Sequence, residues 1–208
     1  MTQALGHTLY LLTHDRGSQE LVEEARRDRQ RFAELYALYA PPLFRYFWVH
    51  TRSRQAAEDL LSETFVNVLH SLPGYSLQRG SFSAWLYGIA RRAMARHARE
   101  QARLGDDDDD GDDPVPGPMV LMDGVELPLE QRLDLWDAVG ELTTPEREIV
   151  ALKFGGGLTH KEIAEVTGLR EIHVGVVLYR ALEKLREYLA GEGKLYAKSR
   201  SSSRRGSR

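Results

Sequence analysis

Four arginines, Arg92, Arg96, Arg99 and Arg103, recur at intervals of three and four residues. On a helix turning about 100° per residue they fall within an arc of about 60°. A cationic stripe of this kind neutralises phosphates, and Tyr75, Phe82, Trp85 and Tyr87 can offer stacking faces to unpaired bases. A solvated face above an aromatic core gives the same pattern. In the second half, Ala164, Gly168 and Val174 have the spacing of a helix-turn-helix: a small residue where two helices cross, a glycine in the turn, an apolar anchor on the second helix. A helical hairpin in a core shares that spacing.

Catalytic chemistry finds no comparable footing. The chain has no cysteine, which excludes disulfides, thiol catalysis and Cys-ligated zinc. Asp106, Asp108, Asp110 and Gly111 begin like a calcium loop, but its twelfth position is Gly117 instead of glutamate and prolines interrupt it. The Gly155-Gly156-Gly157 run lacks both a preceding strand and the Gly-Lys-Ser/Thr of a phosphate loop. The seven histidines are scattered without ligand spacing. No enzyme activity, cofactor or metal is expected.

The elements that must position these residues are helices, so the expected class is all-α. Apolar spacing of three and four recurs, and no sustained alternation marks a strand. A first helical segment carries Phe32, Leu35, Tyr36 and Tyr39, and Pro41-Pro42 should break it before Leu43, Phe44, Phe47 and Trp48. A second is expected over about 55–72, with Leu60, Leu61, Phe65, Val68, Leu69 and Leu72 inward, and Pro73-Gly74 stopping it. Ser81 should cap a third over about 82–103. Further on, Thr144-Pro145 reads as cap and first helical residue of a helix ending near Phe154. Thr159 and Glu162 form a capping box for a short helix closed by Gly168. A longer helix is expected over about 170–190 with Val174, Leu178, Leu182 and Leu185 inward.

Charge divides the chain further. The net charge of -3 resolves into +4 over residues 1–104, -10 over 105–134, -3 over 135–193 and +6 over 194–208. Acidic and basic blocks kept apart mark a protein that meets a polyanion or imitates one. Aspartates 106–110, 112 and 113 with prolines at 114, 116, 118 and 128 cannot offset the entropy of ordering, so the segment reads as a linker. The expected organisation is an extension over 1–29, a domain over 30–104, the linker over 105–129, a domain over 130–190 and a basic Ser/Arg-rich tail over 191–208. No stretch approaches the roughly 20 apolar residues of a membrane span, and Met1 to His14 does not read as a secretory signal. A soluble, cytoplasmic protein is expected.

Four motifs in order then carry a resemblance: Ala57-Glu58-Asp59-Leu60-Leu61-Ser62-Glu63-Thr64-Phe65, Phe82-Ser83-Ala84-Trp85-Leu86-Tyr87-Gly88-Ile89-Ala90-Arg91, Leu158-Thr159-His160-Lys161-Glu162-Ile163-Ala164, and Arg180-Ala181-Leu182-Glu183-Lys184-Leu185-Arg186. Over about residues 30–104 and 130–190 the chain resembles the extracytoplasmic-function (ECF) sigma factors of the sigma-70 family. The resemblance implies a region 2-like helical bundle and a region 4-like helix-turn-helix domain that bind core RNA polymerase and direct promoter-specific transcription initiation. It implies docking on the clamp of the largest subunit through Asp59, Leu60, Glu63 and Phe65. It implies capture and melting of the minus-ten element, on the non-template strand, by Tyr75, Arg79, Ser81, Arg91, Arg92, Arg96 and Arg99. Reading of the minus-thirty-five element in double-stranded promoter DNA would fall to Thr159, Lys161, Arg170, Glu171, His173, Tyr179 and Arg180. An anti-sigma partner is compatible with it.

The chain departs from the family pattern where Arg92 stands for the usual asparagine and Arg96 for the usual aspartate. Its recognition helix also has Gly175-Val176-Val177 where Lys-Ser-Arg is usual. Two other functions therefore stay open at this stage: a helix-turn-helix regulator acting without polymerase, and a decoy that binds polymerase or DNA without initiating.

Overall fold

Side-chain caps mark where several of the helices begin. The computed structural model describes residues 19–104 and 129–191, and no strand occurs among them. A short helical segment over 19–25 sinks Val22 and Ala25 into the core. Arg26 follows, donating from Nε to the Leu72 carbonyl at 3.1 Å and lying over the Tyr75 ring at 5.9 Å. Residues 22–26 thus pack against the helices that follow them. Asp28 accepts from the Gln30 amide at 2.9 Å and starts α1, Arg29–Thr51.

The break expected at Pro41-Pro42 does not occur, and α1 runs through both prolines. Each proline removes a helical donor at a cost of about 3 kcal/mol. Against this, Leu43, Tyr46 and Phe47 are each 0% exposed, and burying such side chains contributes about 1.5–3 kcal/mol apiece. Leu35, Tyr39 and Ala40, before the prolines, are buried in the same core, so both halves of α1 are held to one line.

Ser53 caps α2, Arg54–Ser71, accepting from the Ala56 amide at 3.3 Å. Phe65 packs against Phe32 and Tyr36 of α1 at centroid distances of 6.4 and 4.5 Å. Leu69, expected inward, is instead 44% exposed, because it sits about 100° round the helix from the buried Val68. Two 3₁₀ turns, Leu72–Gly74 and Leu77–Arg79, lead to α3, Phe82–Leu104. Ser81 accepts from the Ala84 amide at 3.1 Å, as a cap at that position should.

The second half comprises α4 (Leu129–Gly140), α5 (Thr144–Val150), α6 (His160–Thr167) and α7 (Glu171–Leu189). The cap of α5 is Thr143 rather than Thr144. Only Thr143 has a glutamate three residues on, and Glu146 Oε2 accepts from its amide at 3.0 Å and its hydroxyl at 2.8 Å. The α-helix ends at Val150, short of Phe154, and continues as one π-helical turn, Ala151–Gly155, closed by the Gly156 amide bonding Ala151 O at 3.0 Å. Gly168 ends α6 with φ +76°, and Arg170 is the cap residue of α7. On α7 the inward set is Val174, Leu178, Ala181 and Leu185, whereas Leu182 is 39% exposed. The linker beyond Leu104 up to residue 128, the tail from 192 and residues 1–18 lie outside the described residues.

The two halves pack on each other. α6 lies on α3, and the π-helical turn lies on α1. The approach is close at Gly156, where a β-carbon would come within 2.7 Å of the Tyr87 ring. Arg52, in the left-handed region at φ +52°, ties the end of α1 to the Trp136 carbonyl of α4 at 3.1 Å.

Candidate nucleic-acid interface

The cationic stripe is a real face of α3. Its apolar side (Phe82, Leu86, Ile89, Ala93) is buried, while Arg92, Arg96, Arg99 and Arg103 are exposed. The four are not equivalent. Arg96 forms an ion pair with Glu63 of α2. Arg99 turns its Nε back onto the Ala95 carbonyl at 3.1 Å. Arg92 and Arg99 have no ion-pair partner among the described residues. Arg91, on the flank, places Nε 3.5 Å from Glu148 of the C-terminal domain.

Tyr75 is not an exposed stacking platform. It is 7% exposed, packed between Phe82 and Trp85 at 5.5 and 5.0 Å, and its hydroxyl donates to the Gly80 carbonyl at 3.1 Å. It shapes the loop from beneath and holds Arg79, which is exposed, on the outside. Ser81 is partly buried: besides capping α3, its hydroxyl donates to Glu162 at 2.5 Å.

On α2, Asp59 is exposed and accepts from Gln55 at 3.0 Å, and Glu63 is half-exposed in its pair with Arg96. Leu60 and Phe65, assigned to docking by resemblance, are 3% and 4% exposed. They cannot touch a partner directly; they fix the helix that presents Asp59 and Glu63. The exposed apolar neighbours on this helix are Val66 and Leu69, at 53% and 44%.

In the helix-turn-helix, Thr159 spends its hydroxyl on the capping box with Glu162, at 2.8 Å. Lys161, Arg170, Glu171, His173, Tyr179 and Arg180 are all exposed. The face of α7 opposite Val174, Leu178 and Leu185 also carries Ile172 and Val176, 85% and 42% exposed, next to Tyr179 at 66%. Sequence reading passed over Ile172, although with Val176 and Tyr179 it repeats at four and three residues on the side away from the core.

A polar cluster that sequence reading missed entirely lies between the halves. Glu148 of α5, mostly buried, accepts from the Tyr46 hydroxyl at 3.1 Å and has His50 Nε2 3.0 Å away, off the line of a well-aligned bond. Burial works against the Glu148 charge, yet His50, the Tyr46 hydroxyl and the Arg91 guanidinium together hold its carboxyl below the usual range. Burial and the same carboxylate push the Tyr46 hydroxyl well above the usual phenol value. No local spacing announces this cluster, because its members come from residues as far apart as 46 and 148. Beside it runs a cleft of about 1060 Å³ whose lining includes Arg79, Trp85, Arg91, Arg92, Glu148 and Glu165. Among the described residues no group of His, Asp and Glu is arranged to hold a metal ion, and no helix is long and apolar enough to cross a membrane.

Comparison with known proteins agrees with this architecture. The family model for Sigma-70 region 2 matches residues 35–104, and that for Sigma-70 region 4 matches residues 132–185. The ECF RNA polymerase sigma factor BldN of Streptomyces coelicolor is 32% identical over 184 residues, spanning 84% of this chain and 67% of that protein. The ECF sigma factor SigX of Bacillus subtilis is 27% identical, over 77% of this chain and 84% of its own. Two solved structures share the fold: CnrH in complex with the cytosolic domain of CnrY (TM-score 0.60, 24% identity, covering 85% of this chain and 97% of that one) and RpoE of Bartonella quintana in complex with the anti-sigma factor NepR (TM-score 0.63, 22% identity, 77% and 97%). With two matched regions in order and a relative of that identity over most of its length, the chain belongs to the ECF RNA polymerase sigma factors of the sigma-70 family, the proteins that direct the polymerase to promoters.

Proposed function

We propose the following division of labour between the two domains. The exposed edge of α2, with Asp59 and Glu63, meets basic side chains on the clamp of the polymerase's largest subunit. Arg79, Arg91, Arg92 and Arg99 line the path of the melted minus-ten strand, and α7 reads the minus-thirty-five element in the major groove. The observation that carries this reading is the pairing, in one chain, of an arginine-edged α3 with a helix-turn-helix whose second helix has an exposed outer face. Arg170 and Arg180 supply phosphate contacts there. Ile172, Val176 and Tyr179 offer an apolar surface suited to thymine methyl groups. An anti-sigma partner, of the kind bound to RpoE in its complex with NepR, would compete for that same apolar face. The protein supplies binding and positioning, acts in the cytoplasm, and leaves the bond-forming chemistry to the polymerase.

Run-off transcription with purified core polymerase and genomic promoter fragments tests the reading. Specific transcripts that require both protein and core are expected. Binding to core without transcripts would mark a decoy, and DNA binding without core would mark a free-standing regulator; either result overturns it.

A further inference from the structure

We propose that Arg26 is a positioning residue for promoter melting: its guanidinium fixes the loop between α2 and α3 in the shape that presents Arg79 to the minus-ten strand. This rests on the reading of that loop as part of the minus-ten surface. It extends that reading to a residue that lies before the region 2 match and before all the residues assigned to DNA.

The guanidinium has a different task on each side. Along one edge, Nε donates to the Leu72 carbonyl at 3.1 Å and Nη2 donates to the Tyr75 carbonyl. On the other side, Nη1 donates to both Glu23 oxygens, at 2.9 and 3.1 Å. The group also lies over the Tyr75 ring, 5.9 Å from its centroid. Leu72 and Tyr75 bracket the 3₁₀ turn Leu72–Gly74 in which α2 ends. Carbonyls at a helix end lack the donors that a further turn would supply, and a rigid planar fork of N–H groups meets two of them at once. Arg26 is held in place for this: Val22 and Ala25, in the segment just before it, are buried, and Glu23 fixes the free end of the fork.

The fork grips a strut. The Tyr75 ring packs against Phe82 and Trp85 of α3 at 5.5 and 5.0 Å, and its hydroxyl donates to the Gly80 carbonyl at 3.1 Å. The span 76–80 therefore leaves Tyr75 and returns to it. Inside the span, the Arg79 and Gly80 amides bond the Ser76 and Leu77 carbonyls at 2.9 and 3.2 Å, with the Leu77 and Arg79 side chains exposed. A single turn this short does not hold its own shape in water. Its persistence depends on what holds Tyr75, and Arg26 does so from the side opposite α3. A site that is in its binding shape only part of the time binds more weakly by that fraction.

The test uses holoenzyme reconstituted from the full-length protein and core polymerase, with the single-stranded non-template minus-ten oligonucleotide of a promoter found by run-off transcription. Arg26→Gln, which removes the fork, is expected to weaken oligonucleotide binding about fivefold, as for a loop in its binding shape about a fifth of the time. Core affinity should stay at the wild-type value. Arg26→Lys keeps the charge without the fork and should remain impaired; full recovery would mean that charge alone matters and overturns the clamp. Arg79→Ala should also weaken binding, and Arg26→Gln should cost less in that background than alone, because both act through one contact. Equal costs in the two backgrounds overturn the positioning of Arg79. In the free protein, Arg26→Gln should speed hydrogen exchange at the Arg79 and Gly80 amides while the amides of α1 and α2 keep their protection. Faster exchange throughout α2 would mark general destabilisation and overturn a positioning role. If Arg79→Ala weakens binding and Arg26→Gln does not, the clamp is overturned and the minus-ten reading stands. If Arg79→Ala has no effect, the minus-ten reading of the loop falls and the clamp falls with it.

Discussion

At the scale of single residues, the arginine stripe separates into unequal members. Arg96 is neutralised by Glu63, whereas Arg92 and Arg99 face outward without an acidic partner among the described residues. Each phosphate contact to single-stranded DNA adds about 0.7 to the slope of log affinity against log salt. Arg92→Ala with Arg99→Ala should therefore lower that slope by about 1.4, measured as oligonucleotide binding by the holoenzyme across a salt series, while Arg96→Ala should move it less. An unchanged slope would return the stripe to a solvated face. The same ion pair shapes the expectation for docking. Asp59→Ala should weaken core binding about two- to fivefold, the size of an interfacial charge at the rim, by fluorescence titration of labelled protein with core. Leu60→Ala should instead lower stability by about 2–5 kcal/mol, since its side chain is 3% exposed. The sequence shows a motif's residue types but not which of them face water, and a helix that buries Leu60 and Phe65 while exposing Asp59 can be told apart only once its packing side is known.

At the scale of elements, capping chemistry was the most legible part of the chain. Thr159 with Glu162, Gly168 and Ser81 all act as their types and spacing require, because a cap is a contact within four residues. What the sequence hid depends on partners elsewhere: α1 continues through Pro41-Pro42 because of burial on both sides, and the π-helical turn after Val150 sits where Gly156 meets Tyr87. Glu146 shows a local cap turned into a tertiary tie. It is 8% exposed, caps α5 with Thr143, and receives Lys184 of α7 at 2.7 and 2.9 Å. Burial raises its carboxyl, but Lys184 and Thr143 outweigh that and leave it below the usual value. A carboxyl depressed in the folded state contributes stability that is full above its unfolded value, about 4.3, and lost as pH falls through the folded one. Glu146→Gln should thus lower stability by about 1–2 kcal/mol at pH 7. The difference from wild type in thermal unfolding should shrink as pH drops below about 4.3. A deficit independent of pH would mean that the hydrogen bonds, not the charge, hold α5 to α7.

For the whole molecule, the two-domain plan was visible in the charge blocks, but the contact between domains was not. Tyr46, His50, Arg91 and Glu148 carry no mutual spacing signal, and the aspartate-rich linker says only how far the domains can part. Between Leu104 and Leu129 there are 24 residues, 105–128, and fully extended this stretch reaches about 85 Å. Reading two elements roughly 25 base pairs apart asks for about the same distance, so the linker has little slack if both domains engage one promoter. Deleting residues 106–117, half of it, cuts the reach to about 45 Å. The deleted form keeps every described side chain of both domains. It should still bind core, and still bind the single-stranded non-template oligonucleotide once on core, yet lose run-off transcription from promoters that need the minus-thirty-five element. Replacing the deleted stretch with an equal number of Gly and Ser residues should restore transcription if reach is what matters. If the Gly/Ser form stays inactive, the negative charge of the linker is itself required.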